Sequence, residues 1–359
     1  MLPTFARCPP KEATTMKLQR YAGNPILRPN PQNAWEALVT TNPGAWYDAD
    51  AGQVILIYRA AGNDYLHRIS LGLATSTNGY DFVRASDRPF FTTSEEGHWD
   101  AGSVEDARVV KFDDWYFITY AAVPVLPGQY WLNAGGRFQL PEQSPAFPIG
   151  LRENWTRTGL LLTKDFQTVY RAGYLTDPTV DDRDVIIFPE KVNNQFVTLH
   201  RPMQWCGSSF PCREPSIWIA FSDDLLAHKE LRLLAQPERE WEASKVGGAA
   251  PPLRTPDGWL TLYHAVGADN RYRVGAMLLD LYEPTCILAR TSEPIYEPQA
   301  PYEMEGIYKG ITFPCGNVII DGTLFVYYGG ADQYCGVATC ALDDLLAYLR
   351  TCPPGAGTR

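Results

Sequence analysis

The residues of this 359-residue chain best equipped for chemistry stand at the ends of short apolar runs. Asp106 lies in SVEDARV, immediately ahead of the apolar run VVKF, where a carboxyl group at the mouth of a site can serve as a general acid. Arg183, Arg201, Lys245 and His264 occupy comparable positions further along and could together surround a dianion, which planar guanidinium groups hold well. Asn42-Pro43-Gly44, Glu105, Asp184 and Gly247-Gly248 open other runs, and Arg59 and Tyr328 follow others. A purely structural reading stands beside this one. Each arginine then pairs with a neighbouring acid, Asp106 caps a turn or pairs with Arg108, the 181–184 charges are solvated, and His200 is a core histidine. Glu105 is expected to point away from Asp106, because side chains alternate along a regular strand.

What brings such scattered residues together is a repeat. Five segments, AGQVILIYRAAG, FDDWYFITYAAV, VNNQFVTLHRPM, PDGWLTLYHAVG and IDGTLFVYYGGA, each run from a turn signal into a β-rich stretch ending in an aromatic or histidine. The anchors are Tyr58, Tyr120, His200, Tyr263 and Tyr327, separated by 62, 80, 63 and 64 residues. A short strand precedes each hairpin turn, a third follows each anchor, and a fourth fits beyond it. Five units of about four antiparallel strands predict an all-β, five-bladed β-propeller. Equivalent offsets in successive blades then share a radius and height around the axis, so the polar residues converge. The long second spacing marks an insertion at 124–156 whose aromatics, Tyr130 and Trp131 foremost, could cap the central funnel. Only ALDDLLAYL near the C-terminus reads as a helix. The expected organisation is a flexible leader over 1–20, one propeller domain over 21–350 and a tail over 351–359.

Composition agrees with that reading. Gly and Pro number 29 each and aromatics make up 13%, a chain of turns and packed strands. The net charge of −10 disfavours nucleic acid and anionic membrane as partners, and no apolar stretch is long enough to span a bilayer. No signal peptide is evident, so the cytoplasm is the expected compartment. The eight cysteines lack metal-ligand spacing, which predicts no metal, and are expected to be free, with Cys206 and Cys212 close enough in sequence to bridge.

Taken together, NPILRP, TTNPGA, VEDARV, FPEK, LHRP, KVGGAAPPL, LYHAV, YRVGAMLLD and YYGGAD resemble glycoside hydrolase family 130, the β-mannoside phosphorylases and related β-mannosidases, over residues 22–349. The family's usual VEDPR stands here as VEDAR, one residue from the acid. The resemblance implies inverting attack on β-mannosides, with Asp106 as general acid acting through the 3-hydroxyl of the mannosyl unit. It implies phosphate binding by Arg183, Arg201, Lys245, His264 and Tyr272, and a grip on the mannosyl unit by Asn42, Arg59 and Asp332. Inorganic phosphate would be co-substrate with no other cofactor, α-mannose 1-phosphate the product, and a homo-oligomer the assembly. A β-mannosidase using water, with Glu214, Glu242 or another loop acid as base, is the alternative, and a non-catalytic sugar-binding propeller a second. An inverting hydrolase needs that base, whereas a phosphorylase needs cations to hold an already anionic nucleophile.

Overall fold

The five repeats fold as five antiparallel blades in the computed structural model, which describes residues 16–132, 145–226 and 230–355. The chain enters through a two-residue strand, β1 (Gln19–Arg20). Blade one is β2 (Val39–Asp48), β3 (Gln53–Ala61), β4 (Ile69–Ser76) and β5 (Val83–Arg84). Blade two is β6 (Ser103–Phe112), β7 (Trp115–Val123), β8 (Arg157–Thr163) and β9 (Val169–Tyr174). Blade three is β10 (Asp182–Ile187), β11 (Phe196–Pro202), β12 (Ile217–Ser222) and β13 (Leu231–Ala235). In blade four, β14 (Lys245–Gly248) and β15 (Leu253–Thr255) both pair with β16 (Gly258–Val266), followed by β17 (Tyr272–Leu279) and β18 (Ile287–Arg290). Blade five is β19 (Thr312–Ile320), β20 (Thr323–Gly330) and β21 (Tyr334–Ala341), and β1 completes it by pairing antiparallel with β21. The protein is a five-bladed β-propeller, as the repeat predicts. No helix among the described residues is long and apolar enough to cross a membrane.

The core lies between the blades. Alternate residues of a strand face opposite neighbours, so β20 sends Leu324, Val326 and Tyr328 toward blade four and Phe325 and Tyr327 toward blade one. Similar apolar wedges fill the junctions of blades one and two, two and three, and three and four. The predicted C-terminal helix, Leu342–Leu349, buries Leu345, Leu346 and Leu349 against blades four and five.

In four blades a second-strand tyrosine lies flat on a glycine of the third strand: Tyr58 on Gly72, Tyr120 on Gly159, Tyr263 on Gly275 and Tyr328 on Gly336. A methyl group at any of these glycines would overlap the ring. Each tyrosine hydroxyl then donates to a buried carboxylate from the segment leading into that blade's inner strand. The pairs are Tyr58 with Glu36 (2.9 Å), Tyr120 with Asp100 (3.0 Å), Tyr263 with Glu242 (2.8 Å) and Tyr328 with Glu303 (2.6 Å). An arginine of the outer strand completes each bracket: Arg84, Arg171, Arg290 and Arg20, at 2.8–3.0 Å from the same acids. Blade three substitutes His200, whose Nδ1 is 2.8 Å from Asp182 and Nε2 2.8 Å from Thr198, the core role expected of it.

Two expectations change. The fifth anchor is Tyr328 rather than Tyr327, because a slip of one residue turns a side chain to the other face of the sheet. Tyr328 is thus a bracket residue, and Gly329 takes the position next to the funnel. Residues 18–20 of the leader expected over 1–20 belong to the fold: Leu18 is buried, and Arg20 is tied to Glu303 while its strand pairs with β21. Residues 1–15 of that leader, 133–144 of the insertion and 356–359 of the tail lie outside the described residues. Cys206 and Cys212 are both free.

Removing the acid of one bracket should be costly. Glu242→Ala leaves the buried Arg290 guanidinium and the Tyr263 hydroxyl short of an acceptor. A loss of about 3 kcal/mol or more is expected in urea unfolding. A loss below about 1 kcal/mol would show that the bracket contributes no more than a surface ion pair.

Candidate active site

At one end of the funnel, three inner strands carry the same irregularity. The register slips between Thr41 and Gly44, Glu105 and Arg108, and Arg183 and Ile186, so two residues face one partner. The first bulged residue is Asn42, Asp106 or Asp184, at φ of 47°, 52° and 52°. Asn and Asp are the non-glycine residues that tolerate this left-handed region best. A bulge re-aims the side chain beside it, and here Glu105 and Asp106 both line the cavity. The expectation that Glu105 points away fails for that reason.

The cavity has a volume of about 760 Å³ and divides into two sectors. Blades one, two and five supply the acidic one. Asn42 Nδ2 donates to Asp106 Oδ1 at 2.8 Å, and Arg59 Nη1 lies 3.2 Å from both Asp106 Oδ1 and Glu105 Oε2. Arg59 Nη2 reaches Asp332 Oδ1 at 2.9 Å, and Asn42 Nδ2 is 3.5 Å from the same oxygen. The three residues expected to grip a mannosyl unit therefore do meet around Asp106. Burial raises the Glu105 carboxyl above its ordinary range, with Arg59 opposing and the charges of Asp106 and Asp332 adding to the rise.

Blades three and four supply the cationic sector. Arg183 forks onto Asp181 at 2.9 and 2.8 Å, and Arg201 Nε donates to Asp184 at 2.5 Å. The structural reading of these arginines is thus correct as far as it goes, yet both still line the cavity. Lys245 Nζ donates to the Tyr272 hydroxyl at 2.6 Å. Burial, and then the charges of Arg201 and Arg183, push the Lys245 ammonium down to about 7, with Asp184 opposing. Against its own burial, Asp184 is held well below the usual carboxylate range, chiefly by Arg201 and also by Arg108.

His264 departs from expectation. It is fully buried and does not line the cavity, because its ring packs between Tyr272 and Phe313, at centroid distances of 5.8 and 4.6 Å, while Gly247 lies against it. Burial, aided by Arg201, Lys245 and Arg108 and opposed by Asp184, pushes it down to about 3, so it is neutral at neutral pH. The expected four charges reduce to two paired arginines and a lysine poised to titrate. Asp184 is a residue the sequence reasoning underrated. It sits at the same strand offset as Asp106 and gathers Arg201, with Arg108 and His264 each at 3.6 Å. Lys309 and Tyr308, from the loop ahead of β19, also line the cavity and carried no signal in the repeat. Tyr130 reaches the cavity, whereas Trp131 packs edge-on against His67 at 4.5 Å. Glu214 is exposed and outside the lining, and Glu242 is consumed by its bracket.

A family model described as beta-1,4-mannooligosaccharide phosphorylase, for glycoside hydrolase family 130, matches residues 13–127 and 150–351. A 1,2-beta-oligomannan phosphorylase of a Thermoanaerobacter species is 36% identical over 92% of this chain and 99% of its own length. A beta-1,2-mannobiose phosphorylase of the same organism is 31% identical over 90% and 96%. Among solved structures, the beta-1,2-mannobiose phosphorylase of Listeria innocua, in complex with beta-1,2-mannobiose, superposes with a TM-score of 0.74 at 27% identity, covering 93% of this chain and 99% of that one.

The lysine gives the site a pH signature. A lysine whose folded value lies below its unfolded one costs stability wherever it is still charged, and the cost fades as pH rises from the folded toward the unfolded value. The window here runs from about 7 to the ordinary 10.5. Without added anion, Lys245→Met should melt higher than the wild type at about pH 6, and the difference should shrink by about pH 9. Thermal melts at both pH values check this. A constant difference would mean that Lys245 is not strained.

Proposed function

The chain belongs to glycoside hydrolase family 130, and we propose that it is an inverting β-mannoside phosphorylase. A β-mannoside and inorganic phosphate would yield α-mannose 1-phosphate and a shortened sugar. The observation that carries the reading is the division of the cavity: a carboxyl group held by Asn42 and Arg59 in one sector, and Arg183, Arg201, Lys245 and Tyr272 in the other. Asp106 is assigned as general acid toward the departing oxygen, by way of the 3-hydroxyl of the mannosyl unit. Asn42, Arg59 and Asp332 orient that unit. The cationic sector holds phosphate for attack at the anomeric carbon, where fixed positive charge reduces repulsion at no reorganisation cost. His264 acts from behind this wall, as packing beneath Tyr272 and a neighbour of Asp184, rather than as a direct ligand.

Two relatives named for β-1,2-linked substrates, at 36% and 31% identity, support β-1,2-linked manno-oligosaccharides as the first substrates to try. Hydrolysis is the weaker reading. Of the acids named as a base for water, Glu242 is locked against Arg290 and Tyr263 and Glu214 lies outside the cavity lining, which leaves that role to another loop acid. A carboxyl group aimed into a cavity that also gathers cations is more equipment than sugar binding alone requires.

Incubation with β-1,2-mannobiose, with and without phosphate, tests the proposal. Consumption should require phosphate and release α-mannose 1-phosphate. In Asp106→Asn the rate should fall by about 10²–10⁴-fold while the fold is kept. Mannose released equally fast in phosphate-free buffer would make the enzyme a hydrolase, and near-normal turnover of Asp106→Asn would remove that residue from the mechanism.

A further inference from the structure

Three carboxylates in the acidic sector depend on one guanidinium. Arg59 Nη1 lies 3.2 Å from Glu105 and 3.2 Å from Asp106, and its Nη2 lies 2.9 Å from Asp332. The donors are shared unequally. Asp106 Oδ1 accepts from Asn42 as well as Arg59, and Asp332 has Arg59 with the more distant Asn42. Toward Glu105, Arg59 offers only the nitrogen that it also gives Asp106. Two carboxylates on one donor nitrogen repel when both are ionised, and one positive charge offsets only one of them. The other groups facing Glu105 are Ser103 on its own strand, Tyr130 and Tyr308 at the rim, and Arg183 across the cavity. Of these only Arg183 is cationic, and it is forked onto Asp181.

We infer that Glu105 and Asp106 form an acid pair that shares one proton, with Glu105 holding it in the site and Asp106 passing it toward the departing oxygen. This inference rests on the phosphorylase reading above. In that reaction a phosphate oxygen forms the bond to the anomeric carbon. The bond from that carbon to the glycosidic oxygen breaks, leaving its electron pair on the oxygen. The proton of the pair moves to that oxygen, the pair is left doubly ionised beside Arg59, and solvent supplies the next proton. Coupled carboxyls lose their protons in two separated steps that belong to the pair. Glu105 thus keeps the reacting proton available at a pH where an isolated aspartate on an arginine would have lost it. That Glu105 is raised above its ordinary range agrees with this placement.

The test is the pH profile of kcat/KM for phosphorolysis, from about pH 5 to about pH 9, in the wild type and Glu105→Gln. The glutamine keeps the shape but not the charge. Arg59 Nη1 then serves one carboxylate instead of two, and the reacting proton is no longer shared. The alkaline limb is expected to move down by about one pH unit or more, a loss of about tenfold on that side of the profile with recovery toward acid. A limb at the wild-type pH, whatever happens to KM, would leave Glu105 as a support for Arg59 and overturn the inference. Should Glu105→Gln fail to fold, infrared spectra of wild-type protein with carbon-13 glutamate carboxyls answer the same question. A protonated glutamate carboxyl persisting near neutral pH is expected, and its absence would overturn the inference. A wild type inactive on β-mannosides with phosphate would instead fail the phosphorylase reading, and the infrared result would still decide whether the pair holds a proton.

Discussion

Four of the five blades hang from a carboxylate buried at the entry to the inner strand. Glu36, Asp100, Glu242 and Glu303 are each almost wholly removed from water, and each is held by a tyrosine of the second strand and an arginine of the outer one. An ionised group in that position is tolerable only with its partners in place. It therefore binds three strands of one sheet to a single geometry. In blades one, two and four it stands just three residues ahead of the inner strand, as Glu36 does before Val39, Asp100 before Ser103 and Glu242 before Lys245. The bracket thus decides where the inner strand begins, and so how far into the funnel its first residues reach.

On that frame the site is built by breaking the strand rule in a controlled way. Asn42, Asp106 and Asp184 occupy one structural position in three successive blades, and the same bulge turns all three inward. Chemistry differs because their surroundings differ. Asn42 and Asp106 bond each other among a crowd of acids, with Asp106 on Arg59, whereas Asp184 meets Arg201, Arg108 and His264. One backbone device has been reused to gather carboxylates in one sector and to organise cations in another. Gly247 belongs to the same device, since a β-carbon there would collide with Asp184, His264 and Arg201.

The fold was legible because its signal is local: a turn, a β-rich run and a terminal aromatic fall within a dozen residues. Tyr327 in place of Tyr328 shows the limit, since two adjacent tyrosines offer no local reason to prefer one face. The brackets were hidden for a different reason: Glu36, Tyr58 and Arg84 lie far apart in sequence and meet only in the folded blade. Of the site, Asp106, Asn42, Arg59 and Asp332 could be anticipated through the family motifs, and the geometry gathers them. Glu105 was misjudged because alternation assumes a regular strand, and the bulge is the exception. His264 was misjudged because the rings that cover it, Tyr272 and Phe313, come from other strands. Arg183 shows the converse, its partner Asp181 being visible two residues away in the 181–184 run.

The ring is closed by a strand from the opposite end of the chain. Gln19 and Arg20 are paired with Thr339 and Ala338, and Arg20 is the arginine of the fifth bracket. During synthesis these residues leave the ribosome long before the strand that they pair with. Four blades can form while β1 still lacks β21 and Arg20 still lacks Glu303, so a nascent chain carries one unpaired strand and one cation awaiting its acid until blade five has been made. Completion is therefore a single late event, and the propeller has no half-closed state in which all its brackets are satisfied.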